Sequence, residues 1–351
     1  MSTDRRVLVS TLTPVLNEEA YIRATVAALQ AQDVAGEAEF LFMDGRSTDR
    51  TKEILRELAA EDPRIRVLDN PARHTASGLN IGLRAARGEY VARVDAHTRY
   101  PAHYLSRGIE RLREGGVDWV SGPQVPVPAG GWSADVALAL ATPLATGRSN
   151  RWDSDVSQRG GDEVQLATGV FTGIWRRETL DRLGGWDEGW PINQDSEMAA
   201  RVLASGGRIV SLPELGAQYA PRDSLKKLAR QYWRYGMYRA KTSLRHPSVV
   251  RPTHVAVPAL VCAAVGAVAA PRPLRVPARA VMGVYLAGLA VQTAQLAPER
   301  GTAVVRLPVV LVTMHGSWGA GYLTGLLRFA PSSRRRPALA TDLAERCCGD
   351  D

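Results

Sequence analysis

Cysteine is scarce in this chain: three residues in 351, with Cys262 in an apolar run and Cys347 and Cys348 adjacent near the end. That placement excludes a disulfide framework and a four-cysteine metal site, and it favours a reducing compartment. Two glycine-rich phosphate signatures are also missing. Neither GxxxxGK[ST] nor GxGxxG occurs, so neither a P-loop nor a Rossmann dinucleotide site is expected. The opening MSTDRRVLVSTLTPVLNEE has too short and too polar an apolar run for a secretory signal. No zinc-finger spacing, RNP-type motif or heptad-linked basic region appears. The net charge of +8 is therefore assigned to nucleotide phosphates or a lipid surface, not to nucleic acid. Acidic residues vanish between Lys226 and Arg251, where eight Lys/Arg stand without one Asp or Glu.

What is present has the composition of a folded protein, 45% hydrophobic and 23% charged. Residues 7–121 alternate strand and helix patterns. VLVSTLTPV, AEFLFM, RIRVL, EYVARV and VDWVSG read as strands. The intervening EEAYIRATVAALQAQ, RTKEILRELAA, ASGLNIGLRAAR and AHYLSRGIERLRE read as helices, the second capped by Ser47-Thr48-Asp49 and the last opened by Pro101. This alternation predicts βαβ units and a mostly parallel sheet with flanking helices, an α/β fold. Residues 122–165 are rich in Gly, Pro and Ala and are expected to be loops with one helix. A strand, a helix, a Trp- and Gly-rich loop, a helix from about Asp195 to Ala204 and a strand follow.

In such sheets ligands bind beyond the carboxyl ends of the strands. Three of these strands end in polar residues: Asn17-Glu18, Asp44 and Asp95. Each alone suits ordinary turn chemistry; together, at one edge, they would surround a crevice. Asp95 and His97, at i and i+2, offer one oxygen and one nitrogen to a divalent cation, Mn²⁺ or Mg²⁺, with substrate oxygens completing the shell.

Four phrases in order, TPVLNEEAYI, FMDGRSTDRT, GLNIGLRAARGEYVARVDAH and GGWDEGWPINQDSEMAAR, resemble the family 2 glycosyltransferases of GT-A fold. VDAHTRYP and RQYWRYGMYRAKTSL are more narrowly similar to the succinoglycan-type exopolysaccharide glycosyltransferases. The resemblance covers about residues 7–245. It implies an inverting transfer from a nucleotide sugar, expected to be UDP-linked, to a glycan or polyprenyl-diphosphate-linked acceptor. Pro14, Asn17 and Glu18 fall in the first-strand loop that meets the nucleotide. Asp44 falls where the family accepts a hydrogen bond from the uracil imide, and Gly78 and Asn80 where a helix start packs on base and ribose. Asp95 is the first acid of the DxD motif, shared between ribose and metal; His97 replaces the final Asp. Asp195 takes the place of the catalytic base, and Glu197 that of an acid two residues on. An acid at a helix N-terminus is also good macrodipole chemistry, so the two readings of Asp195 coexist.

Trp186 and Trp190 flank that base and are candidates for acceptor contact, core packing being the plainer reading. QYWRY resembles the QxxRW motif of processive synthases with Tyr235 for the Trp. It marks Gln231 and Arg234, with Arg222, as candidates for a diphosphate or lipid phosphate. The expected domains are a catalytic domain over 1–221, with a nucleotide half (7–121) and a base half (165–221), and a basic amphipathic interfacial helix region over 222–251. Apolar helices over 252–330 and a polar tail over 331–351 complete the chain. The apolar segments lie at about 253–271, 280–297 and 307–327. The arginines between the first two and after the third favour a membrane hairpin of the second and third, with the first segment in the interface. The chain is thus expected at the cytoplasmic face of the membrane, held to its anionic surface. A membrane-attached nucleotide-sugar-binding protein without turnover, or a nucleotidyltransferase on a related fold, are the alternatives.

Overall fold

A computed structural model describes residues 7–147 and 162–333. The stretch 148–161 of the loop region and most of the polar tail lie outside the described residues. Two compact units emerge, Met1–Leu228 with Gly283–Met314, and Ala229–Met282 with His315–Asp351.

The first unit is built on an eight-stranded sheet. Its strands are β1 (Val7–Val15), β2 (Glu37–Asp44), β3 (Ile65–Asp69), β4 (Tyr90–Arg93), β6 (Trp119–Ser121), β8 (Val164–Leu166), β9 (Gly173–Arg176) and β10 (Ile209–Ser211). They run in the order β3-β2-β1-β4-β9-β6-β10-β8. The first four are mutually parallel, as is the β6–β10 pair, while β9 and β8 run antiparallel to their neighbours. Strand alternation sorts the core. Leu41 and Met43 of β2 face one layer with Leu79, Met198 and Val202, and Phe40 and Phe42 face the other with Ile22, Val26 and Leu55.

Helices α1 (Ile22–Gln30), α2 (Thr51–Glu61), α3 (Thr75–Ala85) and α4 (Tyr104–Arg113) fall where the 3.6-residue pattern placed them. Helix α1 buries Ile22, Val26 and Leu29 as a single stripe. Asp49 caps α2 by accepting from Thr51 N and Thr51 Oγ1. At Gly88, which ends the turn after α3, a Cβ would sit 2.5 Å from Ser10 N; only glycine lets the chain re-enter the sheet so close to β1.

Other expectations are corrected. The helix expected at Pro101 begins at Tyr104, because β5 (Thr98–Arg99) comes first. That strand joins β7 (Gln124–Pro126) and β11 (Ala217–Tyr219) in a second sheet, order β5-β11-β7, too short for periodicity to announce. Residues 122–147 hold two helices, α5 (Ser133–Leu140) and α6 (Pro143–Thr146). Helices α7 (Arg177–Arg182) and α8 (Gln194–Ala204) follow β9.

The tail forms α9 (Leu225–Arg245), α10 (Thr253–Ala269), α11 (Arg272–Arg300) and α12 (Leu307–Ser333). Within the second unit α9 and α12 touch backbone to backbone through glycine. A Cβ on Gly236 would lie 2.0 Å from Trp318 O, and one on Gly321 2.0 Å from Trp233 O. Arg275 and Arg279 donate to Ala270 O and Ala267 O, so they cap the carbonyl end of α10. Among the described residues one helical stretch, Arg272–Val304, is long and apolar enough to cross a membrane (33 residues, mean hydropathy 1.4 over its most apolar 18). By the same measure the third apolar segment, the expected partner in the hairpin, does not qualify. The start of α12 is committed to protein: Leu307, Val310, Leu311 and Met314 are buried, and Arg306 lies 4.9 Å over the Trp132 ring and 3.7 Å from Asp135.

The turn between α2 and β3 generates a pH prediction. The Arg64 guanidinium, with Gln30 also donating, holds the Asp62 carboxyl down to about 2 against its burial. A depressed carboxylate contributes stability above its unfolded pKa and loses it as pH falls through the folded one. Asp62→Asn is expected to cost about 1–2 kcal/mol at pH 7. In urea titrations the gap between variant and parent should narrow below pH 4 and close near pH 2; a gap independent of pH would contradict the assignment.

Candidate active site

The order β2-β1-β4 brings the polar ends of three neighbouring strands to one edge. Beyond β1 the chain turns through Asn17, at φ 57, and the turn is tied to the start of α2. Asn17 N donates to Ser47 Oγ (3.0 Å), Thr48 N to Asn17 Oδ1 (2.8 Å), and Glu18 N to Thr51 Oγ1 (2.8 Å). Asn17 thus braces the rim of the crevice with its own side chain. Pro14 lies in register with Met43 on β2. Gly78 lets α3 approach it, since a Cβ there would lie 3.3 Å from Pro14 Cβ and 2.9 Å from Asn70 Nδ2.

Asp44 ends β2 fully buried. Its Oδ1 accepts from Ser47 N at 3.1 Å, while Oδ2 has no hydrogen-bond partner among the described residues. A buried carboxylate oxygen left unpaired costs free energy of about 1–3 kcal/mol or more. Its natural complement is an N–H donor from a ligand.

At the end of β4, Asp95 meets a partner that sequence reading passed over. Arg93, nearly fully buried, donates from Nε to Asp95 Oδ1 (2.9 Å) and from Nη2 to Oδ2 (3.2 Å). Burial opposes the Arg93 charge, yet Asp95 and the further field of Asp195 hold its pKa above the ordinary arginine value. Asp95 N donates to Tyr100 Oη. His97 Nδ1 lies 3.2 Å from Glu18 Oε1. Because a carboxylate only accepts, Nδ1 carries the proton and Nε2 is left as the free ring nitrogen. The Glu18 hydrogen bond, then the field of Asp95, raises the His97 pKa against burial and the charge of exposed Arg222. Glu18 therefore orients an imidazole through Oε1.

Asp195 stands in the first turn of α8, half-exposed, behind Asn193 at φ 65. Its backbone is fixed by Gly169, where a Cβ would sit 2.3 Å from Asp195 O. Glu197 is buried and clasps Arg201, which in turn donates to Leu183 O and Gly185 O. The pair thereby ties the start of α8 to the Gly184-Gly185 turn. Asn80 is tied to the same loop. Its two amide N–H groups donate to Trp186 O and Glu188 Oε1 and its Oδ1 accepts from Trp186 N, which leaves one lone pair of Oδ1 for a ligand. Trp186 packs edge-on to Trp175 at 5.7 Å and is buried, as is Trp190, so neither ring offers a face to a sugar. Gln231 donates to Tyr235 Oη, and Arg234 is exposed on the same helix, in the second unit.

Among the described residues no three His, Cys, Asp or Glu side chains form a ready-made metal cluster. Asp95 and His97 are the residues of this edge that could offer an oxygen and a ring nitrogen to a divalent cation, its other oxygens coming from a bound diphosphate. A carboxylate on the second ring nitrogen, here Glu18, is the usual support of a metal-binding imidazole. The signal that could have found Arg93 was simple alternation, since i and i+2 in a strand share a face.

Residues 10–179 match the family model described as Glycosyl transferase family 2. The succinoglycan biosynthesis protein ExoA of Rhizobium meliloti is 32% identical over 348 residues, covering 96% of this chain and 100% of that protein. A mannosyltransferase from Pyrobaculum calidifontis, solved in complex with GDP-Man and Mn²⁺, shares the fold with a TM-score of 0.58 at 21% identity, over 93% of this chain and 88% of its own. TarS 1-349 of S. aureus, in complex with UDP-GlcNAc, does so with a TM-score of 0.51 at 15% identity, over 92% of each chain.

The Glu197–Arg201 pair generates a prediction. Glu197→Ala leaves a mostly buried guanidinium unpaired and is expected to cost about 3 kcal/mol in urea unfolding. Unchanged stability would return Glu197 to the list of ligand contacts.

Proposed function

The chain belongs to glycosyl transferase family 2, and on that premise we propose that it moves a sugar from a UDP-linked donor to a glycan or polyprenyl-diphosphate-linked acceptor, with inversion at the anomeric carbon. It is a glycosyltransferase of polysaccharide synthesis; donor, acceptor and stereochemistry are the proposed part. The observation that carries the donor reading is Asp44 Oδ2, buried and unpaired at the carboxyl edge of the sheet. The uracil imide supplies the N–H it lacks. Nucleotide complexes of two solved relatives of the fold, one with Mn²⁺, support a nucleotide sugar and a divalent cation.

Pro14 and the start of α3 at Gly78 wall the base, and the braced Asn17 turn closes the rim above it. Asp95 faces the ribose and diphosphate. When bound at Asp95 and His97, a divalent cation supplies the Lewis-acid charge that eases departure of the nucleoside diphosphate. Asp195, half-exposed at a helix start, takes the proton from the acceptor hydroxyl as its oxygen attacks the anomeric carbon. The C–O bond to the diphosphate breaks as the new one forms on the opposite face, so an α-linked donor yields a β-linkage. Glu197, Arg201 and Asn80 hold the loop behind this base in place.

The apolar Arg272–Val304 stretch and the basic face of α9 are proposed to hold the enzyme at the cytoplasmic face of an anionic membrane. The full chain is then expected to sediment with membranes and to resist a high-salt wash.

Calorimetry with UDP and Mn²⁺ tests the site. Asp44→Asn is expected to weaken UDP binding about tenfold or more. Asp195→Asn should keep UDP binding within about threefold while transfer from labelled UDP-sugars to a membrane-lipid extract falls by about a thousandfold. Equal loss of binding and transfer in Asp195→Asn would remove it as the base, and full UDP affinity in Asp44→Asn would remove the donor reading.

A further inference from the structure

Arg93 closes β4, in register with Leu12 of β1 and Gly173 of β9. Alternation puts Val91, Arg93 and Asp95 on one face of the sheet. That face carries Leu12, Trp119 and Trp175 together with Met198 and Val202 of α8, the helix that begins with Asp195. The guanidinium lies beneath the crevice, 6% exposed, and grips both oxygens of Asp95.

This changes the charge that the crevice presents. Asp95 brings −1 and Arg93 +1, so the pair is neutral. At the position where the family's motif carries a second acid stands His97, which contributes no negative charge. Glu18, the next acid, is engaged by that imidazole at 3.2 Å. A hard divalent cation gives up its water shell for anionic oxygen, and here Asp95, the one anionic ligand of the pair, is already neutralised by Arg93, with the uncharged His97 nitrogen beside it. A nucleotide diphosphate brings that charge itself, and a fixed, buried guanidinium attracts it.

We propose that Arg93 cancels the charge of Asp95, so that the divalent cation enters only together with the nucleotide diphosphate and not ahead of it. The residue is a positioning and charge-setting group beneath the diphosphate, acting through Asp95. The inference rests on the nucleotide-diphosphate reading of the crevice.

Two binding measurements on detergent-purified full-length protein decide it: free Mn²⁺ followed by its EPR signal, and UDP titrated calorimetrically in EDTA. The parent protein should bind Mn²⁺ no tighter than about 1 mM alone, and should take it up once UDP is added. Arg93→Met uncovers the Asp95 carboxylate, so its affinity for Mn²⁺ alone should rise about tenfold or more, while metal-free UDP binding falls by a similar factor. Arg93→Lys keeps the charge and should stay near the parent on both. A group that only braced the fold would lower both affinities together. Tight Mn²⁺ binding by the parent without UDP, or weaker Mn²⁺ binding by Arg93→Met, overturns the proposal. Thermal melts check folding, and the parent and Arg93→Lys arms stand if Arg93→Met does not fold. Asp95→Asn separates the two levels: if it leaves Mn²⁺–UDP binding intact, the reading of the crevice fails, not only the role of Arg93.

Discussion

Val15 sits in register with Asp44, and Leu12 with both Leu41 and Arg93. Those pairings make β1 the ruler of the molecule. Because it is parallel to β2 on one side and β4 on the other, three chain reversals leave the sheet at one edge. The polar residues that end the strands then arrive within one crevice. A slip of one residue between β1 and β2 would turn Asp44 toward the opposite layer and bring Met43 or Gly45 to its place. The hydrophobic alternation of β2, Phe40 and Phe42 against Leu41 and Met43, opposes that slip with four large buried side chains. The site inherits its geometry from the core.

Charge is confined to the two ends of this sheet. At the amino edge Glu39 is buried and receives Ser10 Oγ, Arg66 and Arg87, which ties β1, β2, β3 and the turn after α3 together. Burial works against that carboxylate, but the converging donors hold its pKa below the ordinary value. At the carboxyl edge Arg93 and Asp95 form the corresponding pair, with a different outcome. Glu39 is 1% exposed and surrounded by donors, whereas the Asp95 side chain keeps 20% exposure toward the crevice. A carboxylate held on one side and open on the other can meet a ligand without first finding its rotamer. The same physical device is a brace at one end and a binding surface at the other.

How much of this the sequence disclosed follows from what each signal measures. Periodicity located β1 to β4 and α1 to α4 because each buries a continuous stripe, and the three polar strand ends were visible as interruptions of those stripes. Asp195 was legible as an acid opening a helix. The β5-β11-β7 sheet was not, since strands of two or three residues carry no period. Nor did one-dimensional reading tell where a side chain's hydrogen bonds go. Asn80 is joined to Trp186 and Glu188 across more than a hundred residues of chain, and Glu197 to a turn it precedes in space but follows in sequence. In the tail, composition alone did not separate lipid-facing from protein-facing positions: Leu307, Val310 and Leu311 are as apolar as a membrane helix requires, and protein covers them.

The tryptophans show what such corrections mean for mechanism. Trp119, Trp175 and Trp186 form a connected cluster, tilted and then edge-on, at 4.8 Å and 5.7 Å between successive ring centroids, within the core that α8 covers. Large rings with two torsions each make a stiff floor at small entropic cost. Gly169 rests against Trp119 and against Asp195 O at distances that exclude a Cβ. Asp195 therefore stands on a surface that cannot yield on one side, while Asn80 and the Glu197–Arg201 clasp fix the loop on the other. A general base works only within hydrogen-bond reach of the proton it removes, and an ångström of slack at that position is enough to lose much of the rate. Aromatic residues near the proposed base thus bear on it indirectly, by keeping the start of α8 and with it Asp195 in place.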